Sequence, residues 1–142
     1  MFRAGAAAER VVRSRHSRPH EVRSVQQAEL QVSVFLRAGD MFGGRPLYRE
    51  IIDRARTAGL SGASAIRGLQ GFGESATLRS PGLLGQNGSE PVVIEICDEP
   101  ARVQAFLPVL DQLIGSELVV LKMVMVTRRV ADVTDIAATA AP

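Results

Sequence analysis

Few side chains in this sequence are placed to do chemistry, and most of those lie at the ends of apolar runs. The stretch Gly68-Leu69-Gln70-Gly71-Phe72-Gly73 carries three glycines in six residues. Glycine lets a backbone N–H approach a phosphate, but the dinucleotide fingerprint needs a helix directly after the glycines. A polar stretch follows instead, so the glycines read first as a bulged strand exit. Contact of their N–H groups with a ligand is the second role. Arg128 and Arg129 close the last apolar run. Paired guanidiniums suit phosphate, at roughly 1.5–3 kcal/mol for each good charge-assisted bond; the plainer role is two solvated arginines ending a strand. Cys97 stands beside Asp98 and Glu99, and neighbouring negative charge disfavours a thiolate, so it reads as structural. Both histidines, His16 and His20, precede Glu21. That removes Ser–His and Cys–His catalysis and a histidine-rich zinc site from the rest of the chain. Asp40, Glu74, Glu90 and Glu95 have no spacing that demands an acid–base pair. The expectation is a protein that is not an enzyme, with no catalytic residue and no metal ligand assigned.

Elements that would position these residues follow from periodicity. Leu30, Val32, Val34 and Leu36 alternate with Gln31, Ser33, Phe35 and Arg37, a strand with one apolar face. Glycines at 39, 43 and 44 mark a loop. Pro46 suits a first helical position, where its missing N–H costs nothing. Leu47, Ile51, Ala55 and Ala58 then recur at helical spacing, with Arg49, Glu50, Asp53 and Arg56 on the other side. Glu50 precedes Arg54 by four residues, a favourable order on a helix. Gly59 stops that helix. A second strand is predicted over 63–70. A polar loop over 74–90 follows; loops of that length on a compact scaffold are functional or disordered. VVIEIC after Pro91 is a third strand by β propensity. Asp98 or Glu99 caps a second helix with Pro100 in its first turn, and Val103, Phe106, Leu107, Leu110, Leu113 and Ile114 form its buried stripe. Pro108 lies inside it and is expected to kink it. ELVVLKMVMVTR is the last strand, apolar on both faces, and its Lys122 is placed to pair with Glu95 across the sheet.

The order β–α–β–loop–β–α–β is that of a ferredoxin-like α+β sandwich, βαββαβ. Two helices cover one face of four strands. The doubly apolar last strand needs a second cover, and another subunit is the expected one; a body of this size gains from oligomeric burial.

Charge divides the chain differently. Residues 1–27 hold six arginines against two acids, leaving eleven basic and thirteen acidic residues elsewhere. The basic pI of about 9.3 therefore belongs to a segment without hydrophobic period, read as a disordered tail. The rest has no basic excess to follow nucleic acid. No apolar run is long enough to span a bilayer, no signal-peptide core follows the first arginines, and one cysteine excludes an internal disulfide framework; a cytoplasmic location is expected. The divisions are thus a tail over 1–27, a domain over 28–129 and a small-residue disordered tail over 130–142.

GGRPLYREIIDRARTAGLSGASAIRGLQGFG (43–73), PVVIEICDEP (91–100) and FLPVLDQLI (106–114), in that order, resemble the domain of unknown function number 190 family over roughly 30–129. That family is similar to the PII signalling proteins. The resemblance implies a homotrimer with sheets facing inward around a threefold axis. It implies an adenine nucleotide (AMP, ADP or ATP) in clefts between subunits. It also implies a T-loop, here 74–90, that reports occupancy to a channel, enzyme or regulator. Members are often encoded beside fluoride channels, which points to a membrane transporter or channel as the protein partner. Gly71, Phe72 and Gly73 match the exit into the T-loop, and Arg128 and Arg129 match a basic C-terminal loop that touches phosphates; these five residues form the expected ligand site. Two departures bear on it. Where PII proteins have a glycine-rich phosphate loop, this chain has only Gly115-Ser116-Glu117, too short to wrap a triphosphate and carrying an acid. The 74–90 loop also lacks tyrosine, so the tyrosine modification of PII T-loops has no target. A ligand-free interaction module and a divalent-cation-binding trimer stay open as alternatives.

Overall fold

The computed structural model describes residues 22–72 and 88–131. The elements run β1 (Val22–Arg37), β2 (Met41–Phe42), β3 (Arg45–Pro46), α1 (Leu47–Thr57), β4 (Ala63–Arg67), β5 (Pro91–Asp98), α2 (Pro100–Asp111) and β6 (Leu118–Ala131). Four strands form one sheet in the order β4-β5-β1-β6. With the two helices this is the ferredoxin-like order anticipated from the sequence. The chain divides into two compact units, 29–123 and the chain ends 1–28 with 124–142.

In the larger unit, β1 pairs antiparallel with β5 from Leu30↔Asp98 to Arg37↔Pro91, and β4 pairs antiparallel with β5 from Ala63↔Ile96 to Arg67↔Val92. The alternation in β1 and β5 does what its period requires. Leu30, Val32, Val34 and Leu36 meet Val92, Ile94 and Ile96 in one core with Leu47, Ile51 and Ala55 of α1 and Val103, Phe106 and Leu110 of α2. Helix α1 ends in a Schellman arrangement: Gly59 at φ +75° donates its N–H to Arg56, and Leu60 donates to Ala55. Pro108 lies within α2 and is exposed.

Three local differences from the sequence expectation have physical causes. The glycine loop is a hairpin, β2 paired with β3, turning through Gly43 and Gly44 at φ +54° and +79°; two successive positive φ values are what a type I′ turn demands. Pro46 therefore ends β3, and α1 begins one residue later, at Leu47. Glu50 is buried beside the apolar stripe, because it accepts hydrogen bonds from Arg45 and Arg54, both at 2.9 Å. Neither Asp98 nor Glu99 makes a side-chain cap on α2.

Asp98 does something else. Its carboxylate accepts the Ser61 N–H at 2.7 Å and the Glu99 N–H at 2.8 Å, with Arg102 at 3.5 Å. It thus ties the turn before β4 to the end of β5. Burial alone would push this carboxyl up; the N–H donors and Arg102 outweigh burial and hold it below the ordinary aspartate value.

In the smaller unit, 22–28 of β1 and 124–131 of β6 are described. Gln26 Nε2 donates to Thr127 Oγ1 at 3.2 Å. Strand β1 thus starts at Val22, before the tail boundary expected at 27. The cause is that Val22 to Ala28 show no apolar alternation; backbone pairing between strands does not require one.

Because the folded Asp98 carboxyl sits below its unfolded value of about 3.9, its contribution is full above that pH and is lost as pH falls through the folded value. Asp98→Asn is expected to lower stability at pH 7 by about 1–3 kcal/mol and to shrink the difference between pH 7 and pH 3. Urea midpoints at the two pH values measure both; an unchanged pH difference would show that Asp98 contributes nothing to acid sensitivity.

Candidate functional site

Both described ends of the loop are gripped at the start of β5. On the entering side, the Gly68 N–H donates to the Pro91 carbonyl at 2.8 Å, and a Cβ on Gly68 would lie 2.8 Å from Pro91 Cγ. Gly71 forms a single β-bridge and also packs on Pro91. Strand β4 ends at Arg67, short of the 63–70 expected. On the returning side, Gly88 at φ +71° accepts the Gly39 N–H at 2.8 Å, and Glu90 accepts the Ala38 N–H at 2.9 Å through its carbonyl. The turn they lie on is itself fixed: Asp40 accepts the Arg37 N–H at 2.8 Å and the Arg37 side chain at 3.0 Å, and its carbonyl accepts the Leu47 N–H at 2.7 Å. A Cβ on Gly39 would come within 2.8 Å of the Gly88 carbonyl oxygen, so glycine is required by contact there, not by φ.

Glu90 is the residue that spacing did not single out. Its side chain is 2 % exposed, and Oε2 is the one buried side-chain oxygen or nitrogen without a hydrogen-bond partner among the described residues. Arg67 Nη1 lies 3.8 Å from Oε1, a loose ion pair that leaves Oε2 open. A buried acceptor without a donor is costly and uncommon. Its only sequence signal was position, at the loop's return into an apolar strand.

The expected ligand residues fall in different places. Gly71 and Phe72 belong to the larger unit, and Phe72 is 73 % exposed. Gly73 and 74–87 lie outside the described residues. Arg128 and Arg129 belong to the smaller unit and are exposed. The Gly115–Glu117 turn closes on itself: Glu117 accepts the Gly115 N–H at 2.5 Å, so that N–H is taken by an acid. Cys97 Sγ donates to Glu29 Oε2 at 3.2 Å, in keeping with a structural thiol. Among the described residues no group of three or more His, Cys, Asp or Glu is placed to hold a metal ion, and no helix is long and apolar enough to cross a membrane.

The opposite sheet face has no helix. Phe35 and Ile66 stand 43 % and 53 % exposed with Val93 between them in the ladder, and Glu95 lies two residues along β5, between Ser33 and Ser64. Ser33 donates to Glu95 Oε2 at 3.0 Å, and Gln31 Nε2 donates to the same oxygen. Lys122 makes no ion pair with Glu95 among the described residues; β1 stands between β5 and β6, and its Gln31 and Ser33 take the carboxylate instead. Strand β6 exposes Leu118, Val120, Leu121, Met123 and Met125.

Sheet order and helix placement define a ferredoxin-like α+β fold. The chain belongs to the DUF190 family, Uncharacterized ACR, whose model matches residues 29–126. A UPF0166 protein of Aquifex aeolicus (strain VF5) is 35% identical over 74 residues, covering 52% of this chain and 70% of the relative. UPF0166 protein MJ1524 of Methanocaldococcus jannaschii is 29% identical over 83 residues, 58% and 76% of the two chains. Among solved structures the fold is similar to CPII, a nitrogen regulatory PII-like protein from Thiomonas intermedia K12 bound to ADP, AMP and bicarbonate. The TM-score is 0.50 at 16% identity, covering 72% of this chain and 92% of that one. At that identity the likeness shows the fold alone.

Gly39→Ala is expected to destabilise the chain by about 1–3 kcal/mol, the usual range for forced overpacking, and to speed amide exchange at Ala38 and Gly39 before the core strands. Hydrogen exchange by mass spectrometry reads this; unchanged protection at 38–39 would show that the loop base yields without loss.

Proposed function

We infer that this chain is a cytoplasmic PII-like regulatory protein rather than an enzyme. Copies assemble as a homotrimer, a small ligand binds between subunits, and the 74–90 loop carries the bound state to a protein partner, with a membrane transporter or channel the favoured kind. The observation that carries this reading is the loop base: two chain ends held on one rigid strand start, with a buried carboxylate oxygen left open beside them. A segment fixed at both ends changes its accessible conformations when a ligand adds contacts at the base.

An adenine nucleotide is the proposed ligand, and CPII bound to ADP and AMP supports the class. The residues fit it in part. Glu90 Oε2 accepts an N–H or O–H, which an adenine amine or a ribose hydroxyl supplies, and it repels phosphate. Arg128 and Arg129 are the proposed phosphate donors, with the Gly71–Gly73 backbone as further N–H groups. The closed Gly115–Glu117 turn offers no phosphate cradle, which favours a ligand with fewer phosphates. The open oxygen of Glu90 also suits a divalent cation, so the cation-binding trimer is the second reading; a ligand-free interaction module is what remains if neither binds.

Calorimetry of the full chain with AMP, ADP, ATP and divalent cations separates the three. AMP or ADP is expected to bind at least as tightly as ATP. Glu90→Gln, and Arg128→Ala combined with Arg129→Ala, are each expected to weaken binding about tenfold or more, the scale of one lost charge-assisted bond. ATP binding far more tightly than both, or normal binding by the double arginine variant, would overturn this placement.

A further inference from the structure

We propose that Lys122 of one copy of this chain pairs with Glu95 of the next, across the sheet face that the helices leave open. The proposal rests on the assembly reading above and names the contact that orients it. Four observations carry it. First, Val119 packs against the core under the helices, so the alternation along β6 puts Leu118, Val120 and Lys122 on the opposite face. Glu95 is on that same opposite face, since Ile94 and Ile96 on either side of it along β5 are buried in the core. Second, this face is apolar around its charges: Phe35, Ile66, Leu118 and Val120 are all exposed there. Covering it removes water from both charges, and a desolvated charge without a partner is costly.

Third, each charge is left incomplete among the described residues. Gln31 and Ser33 both donate to Oε2 of Glu95, from the β1 side, and Oε1 takes no hydrogen bond from any of the described residues. Lys122 has no ion pair among the described residues. The two sit two strands apart, about 10 Å at the backbone, with the Gln31 and Ser33 side chains on the strand between. Fourth, one cation and one anion on a single face make that face complementary to another copy of itself, offset so that opposite charges meet. That argues for a second copy as the occupant rather than an unrelated protein.

Lys122 is the only lysine in the sequence, which makes a direct test available. Equal amounts of unlabelled and uniformly nitrogen-15-labelled full chain are mixed, allowed to exchange, and treated with a water-soluble carbodiimide. The reagent activates a carboxylate; a touching amine displaces it, forming an amide with release of the urea. Mass spectrometry of the Lys122–Glu95 cross-linked peptide pair then reports its origin. Pairs with one labelled and one unlabelled half are expected, near half of the total. Pairs of single isotope composition only would place the contact within one chain and overturn the proposal. An oligomer on light scattering of the same sample, without the cross-link, would overturn the pairing and leave the assembly reading standing. A monomer would overturn both. As a second arm, Lys122→Glu and Glu95→Lys singly are expected to weaken association at least tenfold, and the double exchange to restore most of it; a double exchange no better than either single variant counts against the pair.

Discussion

The register of β1 against β5 is the constraint on which the rest depends. Val32 opposite Ile96 and Val34 opposite Ile94 put Leu30, Val32, Val34 and Leu36 of β1 and Val92, Ile94 and Ile96 of β5 on the helix side. A slip of one residue would turn those side chains outward and bring Gln31, Ser33 and Glu95 into the core. The same register ends the ladder at Arg37 opposite Pro91. That stop is what lays the Ala38–Asp40 turn against Gly88–Glu90 and closes the loop base. One pairing thus sets the core, the polar group on the open face and the candidate site together.

The two sheet faces then have different physical problems. The helix side is closed by Phe106, Ile51, Leu110 and their neighbours, and two carboxylates buried there are partnered, Asp98 by backbone donors and Glu50 by Arg45 and Arg54. The open side mixes exposed apolar residues with a carboxylate and an ammonium that, among the described residues, are half-satisfied and unpaired. Soluble chains rarely leave such a patch bare. Its composition, apolar ground with a few charges, is that of an interface more than of a solvated surface.

Much of this was legible in the residues. The alternation over 30–37, the helical stripes of Leu47–Ala55 and Val103–Leu110, and the glycine stop at 59 each follow from one local rule, and together they give the strand and helix order. What escaped was set by contacts distant in sequence. Gly43-Gly44 read as loop because two-residue strands show no period. Glu90 looked like any loop carboxylate, since its burial comes from packing between β4 and the turn after β1. Lys122 was assigned to Glu95 within one chain; the intervening strand, unseen in the sequence, takes that carboxylate with Gln31 and Ser33. The early start of β1 was hidden for the same reason as the hairpin: pairing holds it, not side-chain pattern.

Sedimentation equilibrium of the full 15.2 kDa chain tests the central claim, that the open face is a subunit interface, most directly. A single species at about three chain masses, stable across a hundredfold range of concentration, is expected for a closed cyclic assembly. A single species at the mass of one chain over that range would contradict it, and would leave the loop-base carboxylate without a neighbouring subunit to complete a site.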